Sequence, residues 1–98
     1  MIGIKGTGMS SLAILLKAMG YHVTGSDVPE KFFTEAQLKS NKIKYFDGFS
    51  PKNLAKAKPQ KIIYSTAYTD SNPELALAKK LNIPLLSYPQ AIGEISRN

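Results

Sequence analysis

The stretch that most constrains this chain is its first ten residues, Met1-Ile-Gly-Ile-Lys-Gly-Thr-Gly-Met-Ser10. An apolar start runs into three glycines, and an apolar helical pattern follows at once. This reads as a short strand, a glycine turn and a helix. In that order the first N–H groups of the helix have no partner inside it and point into the turn, where the helix dipole adds partial positive charge. Gly6 and Gly8 carry no Cβ, so the backbone turns tightly and a ligand can approach it closely. Such a turn suits a phosphate.

The rest of the chain alternates in the same way. Met9, Leu12, Ala13, Leu16 and Met19 have the i, i+3, i+4, i+7 spacing of a core-facing helix, closed by Gly20 as a C′ residue. Tyr21–Thr24 is β-prone and is expected as the second strand, ending in Gly25-Ser26-Asp27. After Pro29 a helix is expected from about Phe32 to Ser40, with Phe33, Ala36 and either Leu38 or the Lys39 stem covering the sheet. Ile43–Phe46 reads as a third strand. In the following turn Ser50 is placed as N-cap and Pro51 at N1 of a short helix through Ala57. Lys61–Ser65 has the most buried character of the strands. Asn72-Pro73-Glu74 opens a helix with Leu75, Ala78 and Leu81 facing inward. Ile83–Leu86 is a fifth strand, and Pro89 opens a last helix carrying Ile92 and Ile95.

The fold expected from this alternation is α/β: one Rossmann-like, three-layer domain spanning residues 1–98, with a mostly parallel sheet of about five strands and right-handed crossovers. There are no repeats and no linker. In such sheets ligands bind outside the carboxyl ends of the strands. Four loops should therefore converge on one crevice: Lys5–Ser10, Ser26–Pro29, Asp47–Ser50 and Ser65–Asn72.

Composition narrows the chemistry. The absence of cysteine excludes disulfides, thiolate metal sites and cysteine nucleophiles, and fits a reducing cytoplasm. No apolar run reaches the roughly 18 residues of a membrane span, and Met1 leads directly into strand-like sequence, so no cleavable signal is expected. The net charge of +6 comes largely from seven lysines between Lys39 and Lys61 against one acid, Asp47. The only arginine is Arg97, and arginine makes most bidentate base contacts. These lysines are spread over predicted helix, loop and strand edge. They read first as a solvated surface, then as a docking surface for another domain, and last as a nucleic-acid site. The end at Arg97-Asn98, without a tail, suggests a domain taken from a longer protein.

The glycine turn is Gly3-x-x-Gly6-x-Gly8, with Lys5 where a dinucleotide fingerprint has its central glycine. Two readings stand for Lys5: a side chain reaching a phosphate, or a solvated lysine on a tight turn. Asp27 lies 19 positions after Gly8, about where an acid binds ribose in NAD folds. Its alternative is an Asx-turn or cap beside Pro29, while Ser26 offers a neighbouring hydroxyl. Ser65-Thr-Ala-Tyr68 clusters hydrogen-bonding side chains at a strand end. His22 is the sole histidine and reads as structural or solvent-facing, so a zinc site is implausible. Nothing resembles a nucleophile elbow or an acid–base pair, so the domain is expected to bind rather than to catalyse alone.

Gly3-Ile-Lys-Gly-Thr-Gly-Met-Ser10, Val23-Thr-Gly-Ser-Asp27 and Ser65-Thr-Ala-Tyr68 with Asn72-Pro-Glu74 together resemble the N-terminal domain of Mur ligases. The resemblance covers essentially the whole chain. Two positions depart from the pattern: Lys5 stands where the family usually has glycine, and Phe49 where histidine is common.

The resemblance implies a domain that holds the UDP part of UDP-N-acetylmuramic acid. Lys5, Gly6, Thr7, Gly8, Met9 and Ser10 would meet the diphosphate. Ser26, Asp27, Gly48, Phe49, Ser65, Thr66, Ala67 and Tyr68 would meet ribose and uracil. It also implies a longer ligase. A central domain would bind ATP and magnesium and phosphorylate the substrate carboxylate, and alanine, placed by a C-terminal domain, would displace the phosphate. No catalytic residue is expected within these 98 residues. Two alternatives stand beside this reading: an NAD(P)-binding or nucleotide-sensing domain of a dehydrogenase or regulator, and a lysine-driven nucleic-acid binder.

Overall fold

The structure, a computed structural model, describes residues 1–97. Its elements are α1 (Thr7–Ala18), β1 (Thr24–Asp27), α2 (Glu35–Ser40), β2 (Lys44–Asp47), α3 (Pro51–Ala57), β3 (Ile62–Tyr64), α4 (Pro73–Lys80), β4 (Leu85–Ser87) and α5 (Tyr88–Arg97). β1 pairs in parallel with β2, and β3 with β4. Ile2 bridges both pairs in parallel, to Ser26 on one side and Tyr64 on the other. The spatial order is therefore β2-β1-Ile2-β3-β4, with the first residues of the chain in the middle. The chain leaves this central position one way toward β1 and later returns on the other side as β3. That makes the end of the central segment, where the glycine turn lies, the topological switch point of the sheet.

The central segment is reduced to a bridge because Gly3 has φ +89°. In a continuous strand residues two apart share a face. Here the turn at Gly3 separates them, and Ile2 and Ile4 serve opposite cores. Ile2 packs with Leu54, Ile62, Leu75 and Ala78 on the face covered by α3 and α4. Ile4 packs with Ala13, Leu38 and Ile43 on the face covered by α1 and α2. Burying either isoleucine contributes roughly 1.5–3 kcal/mol. Ile4 also explains a glycine: a Cβ on Gly25 would lie 2.4 Å from Ile4 Cδ1 and 2.7 Å from its Cβ.

Helix starts fall where local chemistry places them. Ser50 Oγ accepts from the Lys52 amide, with Pro51 at the first helical position. Asn72 Oδ1 accepts from the Glu74 and Leu75 amides. Gly20 follows α1 with φ +101°.

Several expectations shift. The second strand is Thr24–Asp27, not Tyr21–Thr24, because the ladder is set by Ile2 and by pairing with Lys44–Asp47. Exposed His22 thus precedes the strand. The second helix begins at Glu35, which leaves Phe33 at 76% exposure and Ala36 exposed; Leu38 alone of the expected set is buried. Leu81 lies past the end of α4 and is exposed, as is Met19 at the end of α1. No helix among the described residues is long and apolar enough to cross a membrane.

Candidate functional site

α1 begins at the switch point with Gly6 as N-cap, and no side chain caps it. The Gly6 amide turns back to Gly3 O, and the first helical hydrogen bond is Ser10 N to Gly6 O at 2.8 Å. The amides of Thr7, Gly8 and Met9 are therefore left at the mouth of the turn without an intrahelical acceptor. Gly6 and Thr7 are exposed and Gly8 half-buried, whereas Met9 and Ser10 are buried, with Ser10 Oγ donating to Thr7 O.

Around this mouth stand the strand-end loops. A Cβ on Gly3 would lie 2.9 Å from Ser65 Cβ and from a ring carbon of Tyr68. Tyr68 is edge-on to Phe49, ring centres 4.8 Å apart, and its hydroxyl donates to Asp27 Oδ1 at 2.9 Å. Burial, then the hydrogen bond to Asp27, raises the Tyr68 pKa to about 12, so the phenol stays protonated and donating. Gly48, with φ +100°, and half-buried Phe49 form the next wall. Ser65 Oγ accepts from the Ala67 amide, which turns Thr66 and Ala67 outward. The structure thus brings together the glycine turn, Gly48-Phe49 and the Ser65–Tyr68 loop.

Three expected ligand groups face inward instead. Lys5 is neither a phosphate-reaching nor a solvated lysine: its side chain is fully buried. Its ammonium donates to Val28 O and Glu30 O at 2.8 Å each and pairs with Asp47 at 2.8 Å and Glu35 at 3.6 Å. The rings of Tyr45 and Phe32 flank it at 5.6 and 5.9 Å. Burial pulls the Lys5 pKa down, but the hydrogen bond and charge of Asp47, with Glu35 and Asp27, outweigh it and leave the value raised. Thr34 Oγ1 closes the arrangement by donating to Lys5 O at 2.6 Å. Asp27 is equally committed: Oδ2 accepts from the Lys5 amide and Oδ1 from the Val28 amide and Tyr68. An Asx-turn does not account for these bonds: the local amide is Val28, one residue on, and the residue two on, Pro29, has no N–H to give.

Ser26 is buried, and its hydroxyl donates to Glu74 Oε1 at 2.7 Å. Glu74 Oε2 accepts from Asn53 Nδ2 at 2.8 Å and from the Ser50 amide at 3.1 Å. This buried carboxylate in the first turn of α4 joins β1, α3 and the loop that carries Phe49. From the sequence Glu74 reads only as part of a helix start and of the family signature, not as a buried tie. The available hint was an acid immediately after an Asn-Pro helix start, where the dipole favours negative charge.

The match to known proteins is extensive. The model of the Mur ligase family, catalytic domain, matches residues 1–98. The chain belongs to the Mur ligase family. It is 49% identical over 100 residues to the UDP-N-acetylmuramate–L-alanine ligase of Borreliella burgdorferi, covering 98% of this chain and 21% of that protein. The ligase of the same name from Treponema pallidum (strain Nichols) is 50% identical over 97 residues, covering 98% and 20%. Among solved structures, UDP-N-acetylmuramate–alanine ligase from Thermotoga maritima superposes with a TM-score of 0.90 at 28% identity, covering 98% of this chain and 22% of that one. The chain therefore spans about a fifth of the length of these Mur ligases. Its α/β fold with parallel strands is that of their matching segment.

Proposed function

We infer that this chain is the UDP-binding domain of a Mur ligase of peptidoglycan precursor synthesis. The whole enzyme would join L-alanine to the lactyl carboxylate of UDP-N-acetylmuramic acid with ATP, in the cytoplasm. ATP, magnesium and the amino acid would be handled by parts of the ligase outside these residues. The observation that carries the reading is the uncapped start of α1 at the switch point, walled by Gly48-Phe49 and Tyr68. The diphosphate would sit on the amides of Thr7, Gly8 and Met9, in the loop Gly6–Ser10. Ribose and uracil would lie against Gly48, Phe49, Ser65, Thr66, Ala67 and Tyr68. Lys5, Ser26 and Asp27 would shape this crevice without touching the ligand through their side chains.

The division of labour has a physical reason. Binding energy from the remote UDP group positions the reacting carboxylate, which raises its effective concentration at ATP. With Lys5 neutralised by carboxylates, the diphosphate is left with backbone donors and the helix dipole. Three charge-assisted hydrogen bonds are worth roughly 4.5–9 kcal/mol in all, and the cost of association leaves about 4–5, so UDP should bind the isolated domain with a Kd near a millimolar. The test is an amide NMR titration with UDP, UDP-N-acetylmuramic acid and NADH. Shifts at Thr7, Gly8 and Met9 with both uridine ligands are expected; perturbation by NADH alone would overturn the reading in favour of a dinucleotide domain.

A further inference from the structure

A second concave region lies along the outer edge of the sheet. β2 pairs only with β1, so its other edge meets no strand among the described residues. A groove of about 730 Å³ follows that edge. Its walls include Lys39, Lys42, Lys44 and Lys56, which the linear sequence had scattered over helix, loop and strand. All four are exposed, and none forms an ion pair among the described residues. The one acid on the wall, Asp47, is already held by Lys5 at 2.8 Å. The groove therefore carries uncompensated positive charge.

Its floor is apolar. Tyr45 and Phe46 are half-buried and, as neighbours in a strand, point to opposite faces of the sheet. Both line the groove, which thus wraps the strand edge. In a parallel ladder alternate residues turn their N–H and C=O groups away from the neighbouring strand. The outer side of β2 accordingly offers backbone donors and acceptors between rows of lysines.

Such an edge is a template for strand addition, and its charge selects the partner. Two copies of this edge would oppose lysine to lysine. A nucleic acid would want open aromatic faces for stacking, whereas the Tyr45 hydroxyl is tied to Glu35 at 2.7 Å and both rings are half-buried against the sheet. We propose that the β2 edge docks an extended acidic polypeptide segment, added as a further strand with its carboxylates on Lys39, Lys42, Lys44 and Lys56. This stands apart from the UDP reading, since its residues include none of the amides at the glycine turn.

The probe is a labelled peptide of about eight residues, two Glu-Glu-Val-Val repeats, which puts carboxylates on both faces of the added strand and is long enough to span the four-residue β2. Anisotropy titration against the chain should show binding that weakens with salt. The double variant K44Q/K56Q changes two exposed side chains, should keep its melting temperature, and should bind about three- to tenfold more weakly. A peptide of equal charge with prolines at its centre loses ladder donors and should bind about tenfold more weakly still. Equal binding of the proline peptide would reduce the site to charge capture and overturn strand addition. Undiminished binding by K44Q/K56Q, no binding at all, or displacement of the peptide by oligothymidylate would overturn the proposal outright.

Discussion

Replacing Lys5 with methionine separates the two roles open to this residue. Methionine keeps an unbranched stem of similar length and removes only the ammonium. Removing one partner of a buried ion pair costs about 3–5 kcal/mol when the other charge is left stranded. Here the stranding is partial. The Asp47 side chain is 44% exposed and can rehydrate. Glu35, at 7%, keeps the Tyr45 hydroxyl and the Phe32 amide, each at 2.7 Å. The Val28 and Glu30 carbonyls lose their donor in a partly buried setting. The cost should therefore fall to about 2–4 kcal/mol, which lowers Tm by roughly 10–25 °C in a domain of this size. Since such domains are stable by about 5–15 kcal/mol, the variant should still fold in the cold. Urea unfolding followed by circular dichroism measures the loss, and a UDP titration on the folded variant measures binding. A stability loss below about 1 kcal/mol combined with clearly weakened UDP affinity would refute the buried-clamp account and restore a direct phosphate contact.

Three further outcomes follow from the same contacts. The hydrogen bond from Tyr45, the Phe32 amide and then Lys5 and Lys31 lower the Glu35 pKa from 4.5 to about 2, so the folded chain keeps this carboxylate ionised where the unfolded chain protonates it. The stability it supplies is complete above pH 4.5 and is lost as pH falls toward 2; Glu35→Gln should flatten the urea midpoint across that window. Gly3→Ala places a Cβ at φ +89° and 2.9 Å from Ser65 and Tyr68, and should cost about 2–3 kcal/mol in chemical denaturation; an alanine variant as stable as the parent contradicts the tight turn. Ser26→Ala withdraws a donor from buried Glu74 and should cost about 1.5–3 kcal/mol while UDP shifts at Thr7–Met9 persist; lost affinity at full stability would return Ser26 to the ligand.

What could be read from sequence was whatever short-range chemistry decides. Ser50-Pro51 and Asn72-Pro73 mark helix starts because the capping oxygen and the amide it serves lie two or three residues apart. The order of elements was equally legible, and with it the meeting of the glycine turn with the loops after β2 and β3. Strand limits were not. Gly25 and Asp27 are poor strand formers, and they are in β1 only because Lys44–Asp47 and Ile2 pair with that segment from afar. The orientation of polar side chains was hidden for the same reason. Lys5 meets Val28 and Glu30 across 23 and 25 positions, and Ser26 meets Glu74 across 48. Residue type and motif spacing located these groups at the strand ends, but could not tell a ligand contact from a buried tie.

That distinction changes how the crevice works. Two buried charges brace it from opposite faces of the sheet. Lys5 gathers the loop after β1 and the end of β2 on the α2 side. Glu74 gathers β1, α3 and the loop before α3 on the other. Both have their partners within the domain, so neither needs a ligand to be satisfied. What remains toward solvent is backbone and neutral side chains: the amides at the start of α1, the turn at Gly48 and the edges of Phe49 and Tyr68. A site made this way is preorganised without ligand and gains little from any single side chain. For the proposed nucleotide diphosphate, selectivity would then rest on shape and on aligned N–H groups. Charge substitutions at Lys5 or Glu74 should accordingly register first as lost stability, and only through it as lost binding.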